Sequence, residues 1–283
     1  RRLIDLLNRG IDLGDIRACN PVITIRAMVG ALDWSFYWLY EMPRDQANTV
    51  IEVLRDLFTH GLLCSPDSQS LQMAPETLTF SAEDEAFDRE AQNRLKQEAF
   101  LKAGTRCFNQ KGFSGTSLDE IAEQLQVSKG AFYYHFANKE ALLTQCFDYT
   151  LDRLEQIIAG IEQFKTPPAN KLALACHHIF VLQNSEKGPL VHFNSITALP
   201  PAVRQRLLAR LAAVHRTLET AIVEATSDGE FREVSAGIVI QLLTGALNAA
   251  MDLEVWQPID NIDKSAADYF AVFFRGLART AQH

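Results

Sequence analysis

The sequence predicts an all-α protein, and three observations carry that prediction. Residues 112–139 read as two short helices joined by a tight turn. Residues 234–256 are apolar almost all round a helical projection. Residues 14–62 recur, without a gap, 215 positions later with their glycines and prolines in register.

Caps and breakers divide the chain in order. Residues 1–10 end a helix, and 19–40 and 45–60 form two more. Ser65 to Phe80, polar and holding Pro66 and Pro75, reads as a linker. Ser81 to Lys111 is a long helix leading into the short pair. Asn138 caps a connecting helix running toward Phe164, which Thr166, Pro167 and Pro168 stop. Helices over 169–184, 190–198, 201–226, 234–256 and 262–280 complete a bundle.

The short pair carries the most specific chemistry. Ser117 and Glu120 have capping-box spacing, so the first helix starts near Leu118. Leu118, Ile121, Ala122 and Leu125 make its apolar stripe, while Asp119, Glu120, Glu123 and Gln124 stay wet. Ser128 is the N-cap of the second helix. Phe132 and Phe136, four apart, pack inward against that stripe and Phe108. The opposite face presents Lys129, Gly130, Ala131, Tyr133 and His135: a cation, small residues that permit close approach, and hydrogen-bonding aromatics. Such a face suits phosphates and base edges in a major groove.

From F-N-Q-K-G-F at 108–113 through T-S-L-D-E-I-A to V-S-K-G-A-F-Y-Y-H-F-A-N-K-E-A-L-L, the chain closely resembles the DNA-binding domain of the TetR family of bacterial transcriptional regulators. The resemblance covers about fifty residues and implies a helix-turn-helix DNA-binding head joined to a helical-bundle effector-binding and dimerisation domain. It places Lys129, Gly130, Ala131 and Tyr133 at base-proximal or backbone positions of the recognition helix, and Thr116, His135 and Lys139 at phosphate-contacting ones. Ser117, Ser128 and Tyr134 complete the candidate DNA-facing set. Where the family usually has glycine at the inter-helix turn this chain has Gln126, for which a left-handed conformation costs about 1 kcal/mol, so an altered turn is expected.

Charge agrees with that reading. Residues 89–140 hold eight Lys or Arg against six Asp or Glu, a net of +2, in a chain of net charge -8, so the remainder sums to -10. An acidic remainder repels DNA everywhere but at the head and makes binding salt-sensitive. The 283 residues are 47% hydrophobic and 22% charged, enough for more than one domain. Five cysteines without a C-x-x-C pair fit buried thiols in a reducing cytoplasm. Ser235, Gln241, Thr244 and Asn248 interrupt the uncharged run from Val234 to Met251, so no membrane span is expected. His177 and His178 point about 100° apart on a helix and are not expected to grip one metal. No spacing suits a nucleophile with a base, and neither enzyme chemistry nor a cofactor is expected.

In the 215-residue repeat, twelve of 49 positions are identical, among them Gly14/Gly229, Arg17/Arg232, Gly30/Gly245, Pro43/Pro258, Phe58/Phe273 and Gly61/Gly276. Glycine and proline at matching places mark helix ends and close approaches rather than chance. In the TetR family such a stretch resembles the last two helices of the effector domain. The chain therefore reads as the tail of one unit (1–64), a linker (65–80), a DNA-binding head (81–140) and an effector-binding and dimerisation domain (141–283). It begins Arg-Arg without Met, which under this reading implies an upstream portion with a first head. Residues 19–60 can then close against 234–280 as a one-chain pseudo-dimer; the rival is a homodimer through the same helices.

A small-molecule effector that changes the spacing of the heads is the switch the resemblance implies, acting on a double-stranded DNA operator. Candidate lining residues are Phe180, Gln183, Asn184, His192, Phe193, Asn194, Thr197, His215, Met251, Asp252 and Trp256, apolar walls with few polar anchors. Trp34, Tyr37, Trp38 and Tyr40 form an aromatic group read chiefly as core or interface filling. The functional expectation is a repressor released by its effector. The alternative is a protein-interaction or structural role in which DNA binding serves localisation only.

Overall fold

The computed structural model describes residues 2–39, 47–66, 71, 89–251 and 253–279. Among them regular structure is helical, apart from isolated β-bridges. The chain divides into two compact units, one of residues 1–75, 161–184 and 215–283, the other of 76–160 and 185–214.

The first unit contains α1 (Arg2–Leu13), α2 (Pro21–Asp33), α3 (Ser35–Trp38), α4 (Ala47–His60), α9 (Pro168–Gln183), the end of α10 (Pro201–Ser227), α11 (Ala236–Ala249) and α12 (Ile262–Arg275). α2 and α11, the matching helices of the repeat, pack closely on each other. A Cβ added at Gly245 would sit 2.7 Å from Gly30 O and 2.8 Å from Ala31 O, so only glycine allows the backbones this near. The second matching helices, α4 and α12, meet at their C-terminal ends. Gly61 (φ 72°) and Gly276 (φ 68°) face each other there, and a Cβ on either would lie 2.5 Å from the other segment's backbone.

Hydrogen bonds at this crossing come in pairs related by the 215-residue offset. Arg17 N donates to Leu277 O at 2.8 Å, and Arg232 N to Leu62 O at 2.7 Å. Leu62 N reaches Phe273 O at 2.9 Å, and Leu277 N reaches Phe58 O at 2.8 Å. The bridge Ile16 to Ala278 has its counterpart in Leu63 to Phe231. Phe58 and Phe273 touch edge to face at 5.7 Å. Tyr269, Phe270, Phe273 and Phe274 are almost wholly buried on α12, and each such ring contributes on the order of 1.5–3 kcal/mol.

Several expected boundaries move, for physical reasons. The span 19–40 is not one helix: it breaks at Trp34, where the Ser35 hydroxyl donates to Leu32 O. The Trp34 indole donates to Gln241 Oε1 at 2.8 Å and Trp38 is buried, which makes both tryptophans packing residues; Tyr40 lies outside the described residues. The span 234–256 ends at Ala249, because the Asn184 amide bonds Ala250 O at 2.8 Å and accepts from Leu253 N, replacing the next helical turn. α12 stops at Arg275, where Gly276 turns left-handed. Most of the Ser65–Phe80 linker, and the first part of the helix expected over Ser81–Lys111, lie outside the described residues.

His177 and His178 stack edge to face at 5.2 Å, and His177 Nε2 bonds Asp263 at 2.9 Å, so His177 ties α9 to α12. Among the described residues no group of three or more His, Cys, Asp or Glu could hold a metal, and no helix is long and apolar enough to cross a membrane.

In the second unit α5 (Arg89–Gly115) leads into α6 (Leu118–Gln124), α7 (Lys129–His135) and α8 (Lys139–Ile161). Asn138 Oδ1 caps α8 through Ala141 N at 2.8 Å. The expected helix 190–198 is a 3-10 turn, Phe193–Ala198. α10 begins after it.

Candidate nucleic-acid interface

The helix pair is built on a phenylalanine core. Phe132 and Phe136 are 0% exposed, packed against each other at 5.4 Å and against Phe100 at 5.1 and 5.9 Å. Phe100, on α5, is the anchor the pattern reading missed; Phe108 instead stacks with Phe113 at 6.1 Å. Its signal was present in the periodicity of α5, where Phe100, Ala103, Cys107 and Phe108 recur at helical spacing and are buried.

Capping follows the sequence in one helix and departs from it in the other. Ser128 accepts from Ala131 N at 3.2 Å, as its position predicts. Ser117 occupies the N-cap of α6 but makes no side-chain cap bond, and Glu120 is drawn away to an ion pair with Lys111. Salt-bridge competition therefore replaces the expected capping box. Between the helices, Gln126 holds φ 56°, so the turn keeps its left-handed geometry and is not remodelled as expected. Val127 N to Ala122 O at 3.0 Å and Gln126 N to Glu123 O at 2.9 Å fix it.

With the rings buried, the opposite face of α7 is open. Ser128, Lys129, Gly130 and Ala131 are exposed, Tyr133 is 47% and Tyr134 86% exposed. Nothing lies within 4 Å of a Cβ at Gly130. Lys129 pairs with Asp119 at 2.5 Å, and that hydrogen bond raises its pKa, keeping it cationic. His135 is half-buried against Phe100 at 5.2 Å.

The candidates at the edge of the pair are more constrained. Thr116 is 4% exposed and its hydroxyl donates to Gly112 O at 2.8 Å, so it supports the turn and does not offer its side chain to a phosphate. Lys139 donates to Thr116 O at 3.0 Å and lies 4.5 Å over the Phe113 ring. Both groups fix the joint between α5 and α8.

Residues 100–146 match the family model described as bacterial regulatory proteins, tetR family. The helix pair is thus similar to the DNA-binding domain of the TetR family over residues 100–146. The HTH-type transcriptional regulator YerO of Bacillus subtilis is 41% identical to this chain over 68 residues, 24% of this chain and 24% of YerO. The HTH-type transcriptional repressor DhaR of Mycobacterium sp. is 25% identical over 138 residues, 48% of this chain and 70% of DhaR. The chain spans about a quarter of YerO and 42% of YuxN, another Bacillus subtilis relative. Among solved structures, AibR in complex with isovaleryl coenzyme A and operator DNA superposes with a TM-score of 0.53 at 24% identity, over 64% of this chain and 99% of AibR. The ketosteroid regulator KstR2 of Mycobacterium tuberculosis gives 0.53 at 16%, over 65% and 96%. These likenesses show a shared fold over about two thirds of the chain.

Beside the helix pair, Asn109 donates to Leu190 O and accepts from His192 N, both at 2.9 Å, tying α5 to the segment before the 3-10 turn. Arg210 on α10 bonds Asp148, Asp152 and Glu155 on α8, and Arg206 bonds Asp148. The Arg210 guanidinium holds the Glu155 carboxyl below its usual range. Sequence reading missed this clamp, although the carboxylates recur on one face of α8 at helical spacing.

The effector candidates divide between the units. Phe180, Asn184, Met251 and Trp256 belong to the first, His192, Phe193, Asn194 and Thr197 to the second, and Asp252 lies outside the described residues. Phe180 is packed against Tyr269 at 5.2 Å, Asn184 is spent on backbone, and Met251 is buried. Gln183 donates to Leu247 O at 3.1 Å, and His215 Nε2 meets the Thr244 hydroxyl at 3.0 Å. Burial lowers His215 to about 4, which keeps it neutral. In the second unit Phe193 packs on Phe147 at 5.3 Å and Asn194 is exposed.

Proposed function

We propose that this chain is a sequence-specific DNA-binding transcriptional regulator of the TetR type, acting in the cytoplasm as a repressor released by a small molecule. The observation that carries the reading is the orientation of α7: its phenylalanines are buried while Lys129, Gly130, Ala131, Tyr133 and Tyr134 stand open to solvent. A short helix so presented suits a major groove. Support for repression comes from the name of DhaR, and support for a ligand-coupled operator from AibR, solved with both. The effector candidates named above remain part of the proposal.

We further propose that the repeat makes a one-chain pseudo-dimer, 19–60 with 234–280, as the tail of one TetR-like unit joined to a second. The offset-related hydrogen bonds and the facing Gly61 and Gly276 support this reading, because two copies of one interface meet themselves about a two-fold. Unequal copies in one chain imply an imperfectly symmetric operator.

Gel shifts test the first reading: the purified chain is expected to retard DNA from its own promoter region, with a salt-dependent affinity that one class of small molecule abolishes. A complex insensitive to every effector class, but recruiting another protein, would favour a localisation role instead. Light scattering tests the second: a monomer is expected, and an obligate homodimer contradicts it.

A further inference from the structure

The cation that opens α7 is already held by the neighbouring helix. Lys129 Nζ donates to Asp119 Oδ2 at 2.5 Å, reaching the first turn of α6. Both side chains stay largely in solvent, 68% exposed for the lysine and 47% for the carboxylate. Glu123, four residues beyond Asp119 on α6 and also exposed, acts on the same ammonium. The Lys129 pKa is raised first by the hydrogen bond to Asp119 and then by that carboxylate's charge, with Tyr133 and Glu123 adding to the effect. Lys129 is the one Lys or Arg in α7, so this acidic edge governs the charge that the helix brings to a duplex.

The ion pair is not needed to join the two helices. Phe132 is buried beneath them, and the turn is fixed by Val127 N to Ala122 O at 3.0 Å and Gln126 N to Glu123 O at 2.9 Å. A pair this exposed contributes little to stability in water. Other lysines at the edge of the helix pair are engaged differently. Lys139 donates to the Thr116 carbonyl and lies over the Phe113 ring, both uncharged. Lys111 is paired with Glu120, but it stands on α5.

A lysine so paired meets different sequences on different terms. On arbitrary DNA it can only exchange a carboxylate for a phosphate oxygen. That exchange gains little, and it leaves Asp119 uncompensated within a Debye length, about 10 Å at 0.1 M salt, of a negative backbone. A guanine instead offers O6 and N7 together, two acceptors for the one that is lost. Removing the carboxylate's charge would therefore give arbitrary DNA one more phosphate contact, while a matching duplex would gain only the small cost of opening an exposed pair. A charge that penalises wrong partners more than the right one raises discrimination.

We propose that Asp119 is a specificity-determining residue of the DNA-binding surface: acting through Lys129, it keeps that lysine from phosphates on arbitrary DNA and yields it to a guanine where the sequence matches. The inference rests on the DNA-binding reading above and adds to it a positioning residue on α6, outside the open face of α7.

Fluorescence anisotropy of the whole chain with two labelled duplexes tests it, one selected by the wild-type chain from a random pool and one of scrambled sequence. Asp119→Asn keeps the size of the side chain and removes its charge. It is expected to tighten the scrambled duplex about tenfold and the selected one no more than about twofold, and to steepen the salt slope on the scrambled duplex by about one ion. Asp119→Glu is expected to keep the wild-type ratio of affinities. Glu120→Gln, which frees Lys111 on α5, is expected to leave that ratio within about twofold of the wild type. Thermal melts check that each variant is folded. Weaker binding of both duplexes by folded Asp119→Asn would make the pair a structural brace and overturn the proposal, as would an unchanged ratio, or an equal loss of ratio in Asp119→Glu or Glu120→Gln. A wild-type chain that selects no duplex would bring down the regulator reading and this inference with it, whereas a selective wild type with an unchanged Asp119→Asn ratio brings down this inference alone.

Discussion

The helix pair and the crossing of the repeats use glycine at the same positive φ for opposite reasons. Gly112, inside α5, has φ 69° and empty space around it; Gly276 has φ 68° and backbone 2.5 Å from where a side chain would begin. In the head the chain bends so that a few residues can be displayed. At the crossing it bends so that two backbones can touch. The head thus depends on a small core beneath an exposed face, and the crossing on shape complementarity around buried glycines and phenylalanines.

The largest expected effect breaks the head alone. Phe132→Ala empties a fully buried site and should cost about 3–5 kcal/mol. DNA retardation should vanish, while amide exchange in α2 and α11 stays slow; equal loss of protection in both regions would show the units to be one cooperative body. The glycine comparison comes next. Gly276→Ala should cost about 2–4 kcal/mol, from left-handed strain plus a clash with backbone that cannot move aside. Gly112→Ala, with strain but no clash, should cost only about 1 kcal/mol. Urea melts of the two variants giving the same shift would erase the distinction.

Titration sharpens the contrast further. Burial lowers the folded pKa of His215 to about 4 from an ordinary 6.5, so the unfolded chain binds the proton more readily. The first unit should therefore be fully stable above pH 6.5 and lose about 3 kcal/mol as pH falls toward 4, beyond which this contribution is constant. His215→Gln should flatten the pH dependence of urea midpoints across that window. On the head, Lys129→Ala should weaken operator binding by about 1–3 kcal/mol and alter base preference, whereas Lys139→Ala should weaken all sequences alike with a shallower salt slope. Competition gel shifts at two salt concentrations separate them. The smallest change is a gain: Gln126→Gly relieves φ 56° and should raise the melting point by the equivalent of up to about 1 kcal/mol.

Much of the head was legible because its rules are local. Ser128 capped where its type and position said it should, and Phe132 and Phe136 turned inward at their four-residue spacing. Where the reading failed, a competing partner from elsewhere decided. Lys111 took Glu120 from the capping box, Thr116 was enclosed by the bend at Gly112, and Phe100 supplied the ring that Phe108 was expected to give. The uncharged run after Val234 gave no hint that Asn184, more than sixty residues distant, would end its helix by bonding Ala250 and Leu253.

The sequence by itself determined the helical class, the inward and outward faces of α7, and the existence of two matching segments, since periodicity, caps and glycine placement act over a few residues or by simple repetition. Tertiary structure alone decided which backbones approach within reach of Gly61 and Gly276, and which carboxylates were claimed by Arg232 and Arg210. Those outcomes depend on distances between residues far apart in the chain, and close packing and charge pairing are settled only when such residues meet.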